Sequence, residues 1–193
     1  MKIFANYNKQ FDVLMVKFKD KEINSIKKDN NIVLLYNEDN LVGANIFSPV
    51  LNKNSDFKLE DEKLYDYVKA TLKNHIEMDK MDSQFVISLV EDCKPIEGTH
   101  LSLCQVNDGS QVIQVVCGAK NVKKGLITCL ATVGSFLPNG MQILKGSLKG
   151  YDSFGMLCSA KELGIIDEKY NNAGIIELTN DKSLIGKTIW SIL

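Results

Sequence analysis

Short apolar runs broken by polar clusters make up the N-terminal part of the chain. Residues 3–7, 13–18, 32–36 and 41–47 are rich in Val, Ile, Phe and Tyr. The groups Lys27-Lys28-Asp29-Asn30-Asn31 and Asn37-Glu38-Asp39-Asn40 separate them. β-Branched and aromatic runs between Asn- and Asp-rich breaks predict the strands of a meander. Over residues 59–76 the period changes. Leu64, Tyr67, Val68, Thr71, Leu72, His75 and Ile76 recur at three- and four-residue spacings, while Glu60, Asp61, Glu62, Lys63, Asp66, Lys69 and Lys73 take the opposite face. That spacing predicts one amphipathic helix covering a face of the sheet, acidic at its start and basic later, as the helix dipole favours. The expected unit is a small α+β domain over residues 1–82, and the Met-containing, charged stretch 77–83 reads as the connection to a second domain.

The helical period then disappears. Residues 84–90, 101–106, 112–117, 126–133 and 141–144 are short strand-like runs, and Asn107-Asp108-Gly109 is a hairpin signal. Only 160–163 suggests a helical turn. Several short strands joined by glycine-containing turns predict a small closed barrel, with the OB-fold as first candidate, in a second domain over residues 83–193. The apolar segments 175–178 and 185–193 form a C-terminal extension that must pack on the barrel or on another subunit. The expected fold class is mainly β.

Composition narrows the function classes. A chain of 193 residues with 45% hydrophobic content is long and apolar enough for an ordinary core. No apolar run approaches the ~18 residues a membrane helix needs, so neither a signal peptide nor a membrane partner is expected. Five cysteines without a Cys-x-x-Cys pair fit neither a disulfide framework nor a zinc ribbon, and indicate a reducing, cytoplasmic location. The 23 basic residues, balanced by 24 acidic ones, are all lysine. A polyanion is therefore held by point charges rather than by the two-pronged grip of arginine. The near-zero net charge argues against strong binding to long nucleic acid, and DNA is not an expected partner.

Several local patterns point nowhere chemical. Ile185-Gly186-Lys187-Thr188 resembles the end of a phosphate-binding loop, but position 181, where that motif needs glycine, is Asp. His75 and His100 have no second ligand at metal-binding spacing, and no metal or cofactor is expected. Cys117 and Cys158 border turns, but no Cys/His pair is visible, so the chain is not expected to be an enzyme. Lys120, Lys123, Lys124, Lys145 and Lys149 lie around turns, where a barrel could gather them at one side.

The order of residues from 117 onward is more specific. Cys117-Gly118-Ala119-x-Asn121-Val122 is followed by Gly134-x-x-Leu137-Pro138-x-Gly140. Then comes Leu148-Lys149-Gly150-x-x-Ser153-x-Gly155-Met156-Leu157-Cys158-Ser159-x-x-Glu162-Leu163-Gly164. These blocks resemble the tRNA-binding OB domain found in the bacterial phenylalanyl-tRNA synthetase β subunit, in some methionyl-tRNA synthetases and in free-standing tRNA-binding proteins. Tyr7-Asn8-Lys9 and Gly43-x-Asn45-Ile46-Phe47 extend the similarity to the YtpR-type proteins, in which a small α+β domain precedes the same barrel.

The resemblance implies a non-catalytic tRNA-binding protein that recognises tRNA shape through the barrel. In the relatives, the serine and methionine of the Ser-x-Gly-Met unit and nearby basic residues belong to the RNA-contacting surface. Carried over, that places RNA binding on Lys145, Lys149, Ser153 and Met156, with Asn121 and Lys120 as further candidates. Ser153 would donate to phosphate or ribose, and Met156 would pack on a ribose or base face. The glycines at 146, 150 and 155 serve close backbone approach or simply the turns of the barrel. Lys149 stands where relatives usually carry arginine, and 94–101 departs from their pattern. The alternative is a protein-interaction or oligomerisation module that keeps the barrel without RNA contact. A homodimer is also in view, because some free-standing relatives are dimeric.

Overall fold

The computed structural model describes residues 1–54, 57, 59–170 and 173–193. Two compact units emerge, Met1–Asp82 with Asn139–Gln142, and Ser83–Pro138 with Ile143–Leu193.

The first unit is built on a five-stranded antiparallel sheet of β1 (Phe4–Asn8), β2 (Val13–Lys17), β3 (Ser25–Asp29), β4 (Ile32–Asn37) and β5 (Asn40–Phe47), in the order β1-β2-β5-β4-β3. Alternation along the strands sends Leu14, Val16, Ile32, Leu34, Ala44 and Ile46 to one face. Helix α1 (Glu62–Leu72) lays Leu64, Tyr65, Val68 and Leu72 into the same cluster. The Asp61 carboxylate opens the helix by accepting from the Leu64 amide at 2.9 Å.

Two expectations need correction here. The polar group 27–31 is not a break, because residues 27–29 lie in β3, an edge strand whose residues are almost all exposed. Lysines on an exposed edge discourage pairing with other chains, and they also erase the alternation by which a strand is recognised. The helix is shorter than 59–76, and it buries Tyr65, whose hydroxyl donates to the Asp79 carbonyl at 3.3 Å.

The second unit comprises β6 (Phe85–Pro95), β7 (Ser102–Asn107), β8 (Val112–Cys117), β9 (Ile127–Thr132), β10 (Gly146–Leu148), β11 (Tyr151–Ser153) and β12 (Gly155–Leu157). Five of these form a sheet in the order β12-β9-β6-β7-β8, and β10 and β11 form a separate hairpin. The free edge of β8 is met by the chain leaving that hairpin. The Val116 amide donates to Ser153 Oγ at 3.1 Å, the Phe154 amide to the Gln114 carbonyl at 2.9 Å, and Gln114 Nε2 to the Asp152 carbonyl at 2.7 Å. The sheet is thereby nearly closed around Val86, Val90, Cys104, Val106, Val115, Leu130 and Leu157. The chain is mainly β, a small α+β unit followed by an OB-fold barrel.

Residues 141–144 do not form the expected strand. Ile143 instead exchanges backbone bonds with Gly134 and Ser135, at 2.7 and 2.8 Å. The extension packs on its own barrel. β6 pairs with β9 over residues 85–89 and with β7 only from Leu89 onward, which leaves one side of its first half open. The tail fills that side, because Gly186 N–H donates to Ile87 O and Ile87 N–H to Lys187 O, each at 2.8 Å. The Gly-Lys-Thr segment is thus a strand-like filler. Just beyond it, Ile189 is fully buried and the Trp190 ring meets Phe85 edge-on, with centroids 6.0 Å apart.

Candidate nucleic-acid interface

The candidate residues start from a turn. β10 and β11 are joined by two residues, Lys149 at φ 52° and Gly150 at φ 83°, between the cross-strand pair Leu148 and Tyr151. Both central residues have positive φ, as the tight hairpin connections that match strand twist require. Gly150 takes this conformation freely. Lys149 does so at a cost of roughly 1–2 kcal/mol, and the turn presents its side chain from an exposed tip.

Lys145 flanks the same hairpin. Its ammonium lies 3.1 Å from Asp152 Oδ2 and 4.8 Å from the centre of the Phe154 ring, and its side chain is still 56% exposed. Pairing with one carboxylate and one aromatic face holds the cation in place without removing it from water.

Ser153 differs from both lysines. It is buried at 6% exposure, and its hydroxyl accepts from Val116 N–H and donates to the Gly155 carbonyl at 3.2 Å. That oxygen joins the hairpin to β8.

Met156, half-buried on β12, borders a cleft of about 400 Å³ whose walls include Cys117, Gly118, Ala119, Ser159 and Glu162. Lys120 follows Ala119 directly and is exposed. The altered segment 94–101 reaches this wall: a Cβ on Gly118 would lie 3.4 Å from Leu101 Cδ2 and 3.5 Å from His100 Nε2.

Glu162 is a cleft residue that the motif reading passed over. Its Oε2 accepts from the Ser159 amide and hydroxyl, both at 2.7 Å, while Ser159 Oγ accepts from the Glu162 amide at 3.2 Å. Ser-x-x-Glu is the sequence signal of this reciprocal cap. A carboxylate in the cleft repels phosphate and accepts from N–H or O–H donors, so the cleft suits a base edge or ribose better than a phosphate.

Asn121 lies in a different network. Its Nδ2 donates to the Ile175 carbonyl at 2.9 Å and to Glu177 Oε1 at 3.0 Å, and its Oδ1 accepts from the Ile175 amide at 3.0 Å. It pins the extension to the barrel. The structure therefore brings Lys145, Lys149 and Ser153 onto one hairpin and its flank, and sets Met156 on the cleft. Asn121 faces the extension.

Of the thiols, Cys117 and Cys158, which border turns, are both buried. Burial pushes the Cys117 thiol up, against a smaller opposing effect of the Ala119 amide, and Cys158 is fully buried. Among the described residues no group of three His, Cys, Asp or Glu side chains could hold a metal ion, and no helix is long and apolar enough to cross a membrane.

Comparison with known proteins adds to this geometry. Residues 85–185 match the family described as "Putative tRNA binding domain". The "Putative tRNA-binding protein YtpR" of Bacillus subtilis is 32% identical over 191 residues, covering 92% of this chain and 94% of that protein. The phenylalanine–tRNA ligase beta subunit of Ehrlichia ruminantium is 39% identical over 141 residues. That match takes in 69% of this chain but only 18% of the ligase subunit.

Proposed function

From the premise that this chain belongs to the tRNA-binding domain family, we propose that it is a non-catalytic cytoplasmic protein that binds tRNA through the OB barrel. The observation that carries this reading is the family match across the whole barrel. It is supported by Lys149 held at the hairpin tip in a backbone conformation that a lysine adopts only at a cost. Lys149, Lys145 and Lys120 supply point charges to phosphates, and Met156 packs on a base or ribose at the cleft. Ser153 and Asn121 act through the fold, the first by seating the hairpin on β8 and the second by fixing the extension.

Photocrosslinking to purified tRNA, followed by peptide mapping, tests this division. Adducts are expected on peptides from 145–156 and 117–120. Adducts confined to other segments would overturn the assignment of the surface.

One observation favours a second reading. Leu148 and Tyr151, a cross-strand pair, are 47% and 40% exposed, as suits a protein-facing hairpin. In that reading the barrel is an interaction or oligomerisation module. Leu148→Ser with Tyr151→Ser would then abolish self-association measured by light scattering, and the native chain would show no saturable binding of tRNA.

A further inference from the structure

Two of the five cysteines face each other across neighbouring strands. Cys93 of β6 and Cys104 of β7 are direct register partners, and their sulfurs are 3.7 Å apart. Their position in the ladder follows from one backbone bond. The Ile96 amide donates to the Leu101 carbonyl at 2.8 Å, which makes 96 and 101 a hydrogen-bonded pair. Hydrogen-bonded and non-hydrogen-bonded pairs alternate in an antiparallel ladder. Counting back through Pro95–Ser102 and Lys94–Leu103, Cys93–Cys104 is a non-hydrogen-bonded pair, the class whose α-carbons are closer and whose side chains meet. A disulfide needs α-carbons about 4.4–6.8 Å apart, a range that includes the ~4.5 Å of such pairs.

Neighbouring thiols are placed differently. On the β7–β8 ladder, Cys117 is opposite Ser102 and Cys104 is opposite Val115, so Cys117 is only a diagonal neighbour of Cys104. Its sulfur accepts from the Ala119 amide instead.

We propose that Cys93 and Cys104 are a modification site, a cross-strand dithiol that a low-molecular-weight disulfide oxidises to a disulfide. Cys93 is half-buried and Cys104 fully buried, so the order of attack is set by access. The Cys93 thiolate attacks the external disulfide, one S–S bond breaks, and one small thiolate leaves. The Cys104 thiol, which burial and the neighbouring Cys93 keep protonated, then passes its proton to the second small thiolate as that thiolate leaves, and its sulfur attacks Cys93 Sγ. The protein loses two electrons, the external disulfide gains them, and the two small thiolates take up the two protons. The product clamps the β6–β7 hairpin close to its connecting loop.

The test incubates the native full chain with excess oxidised glutathione, alkylates the remaining thiols and cleaves after Glu97 and before Asp108. Those cuts place Cys93, Cys104 and Cys117 on separate peptides. Free thiols are expected to fall from five to three, with the 93 and 104 peptides linked. In Cys104→Ser, Cys93 should stop at the mixed disulfide with glutathione, and in Cys93→Ser the buried Cys104 should stay reduced. Five free thiols in the treated wild type, or a bond to Cys117, Cys129 or Cys158, would overturn the proposal.

Discussion

Asn121→Ala separates a residue that touches RNA from one that holds the fold. The side chain makes three hydrogen bonds to the extension, two of them to the amide and carbonyl of Ile175, which is 3% exposed. Removing the side chain that pairs both the amide and the carbonyl of a buried residue costs about 1 kcal/mol for each lost bond, and more where water cannot take its place. The bond to exposed Glu177 adds little, so the expected loss is roughly 2–3 kcal/mol. For a domain of this size that corresponds to a fall of roughly 10 °C or more in Tm. The extension is also tied at Ile176, whose carbonyl accepts from Thr128 Oγ1 at 2.6 Å and whose amide donates to the Cys158 carbonyl at 2.8 Å. The barrel should therefore still fold. Urea unfolding followed by the fluorescence of Trp190, the single tryptophan, reads the barrel through the tail that packs on Phe85. Affinity for tRNA, measured well below the lowered Tm, should stay within about twofold. Unchanged stability together with a tenfold loss of affinity would refute the reasoning and place Asn121 on the RNA.

Other substitutions follow from the same contacts. Ser153→Ala leaves the Val116 amide without its acceptor in a buried position and should cost about 1–3 kcal/mol in a urea melt. Lys149→Gly relieves the positive φ, so barrel stability should hold or rise by up to about 1 kcal/mol while tRNA affinity falls. In the first unit, the N-terminal ammonium 2.7 Å from Asp82 holds that carboxyl below its ordinary value. This stabilising contribution is present above the unfolded carboxylate value near 4 and is lost as pH falls through the lower native one. Thermal melts across that window should show Asp82→Asn less stable than the native chain near neutral pH, with the difference vanishing in acid.

The elements that were legible in the sequence share one property, an apolar face turned to a core. Residues 112–117 were expected as a strand and are β8, and the stripe through Leu64, Val68 and Leu72 marks α1. Elements without such a face escaped. β3 is exposed along nearly its whole length, and β10 and β11 are three-residue strands that cover no core of their own. Their hairpin is specified by two positive-φ residues and by bonds to β8 from far along the chain, which no local period reveals. The resemblance marked Lys149, Ser153 and Met156 as a group. Side-chain geometry places them differently, Lys149 at an exposed tip, Ser153 in a bond to β8 and Met156 on the cleft, and no local sequence signal separates those placements.

The most direct test of tRNA binding is an equilibrium titration of fluorescently labelled total tRNA with the full chain at a series of potassium chloride concentrations. Contacts from Lys120, Lys145 and Lys149 should make log K fall linearly with log salt, at roughly −0.7 to −0.9 for each phosphate neutralised and hence a slope of about −2 to −3. Lys149→Ala should lower that slope by about one contact. No saturable binding at the lowest salt, or binding whose affinity does not change with salt, would contradict the account.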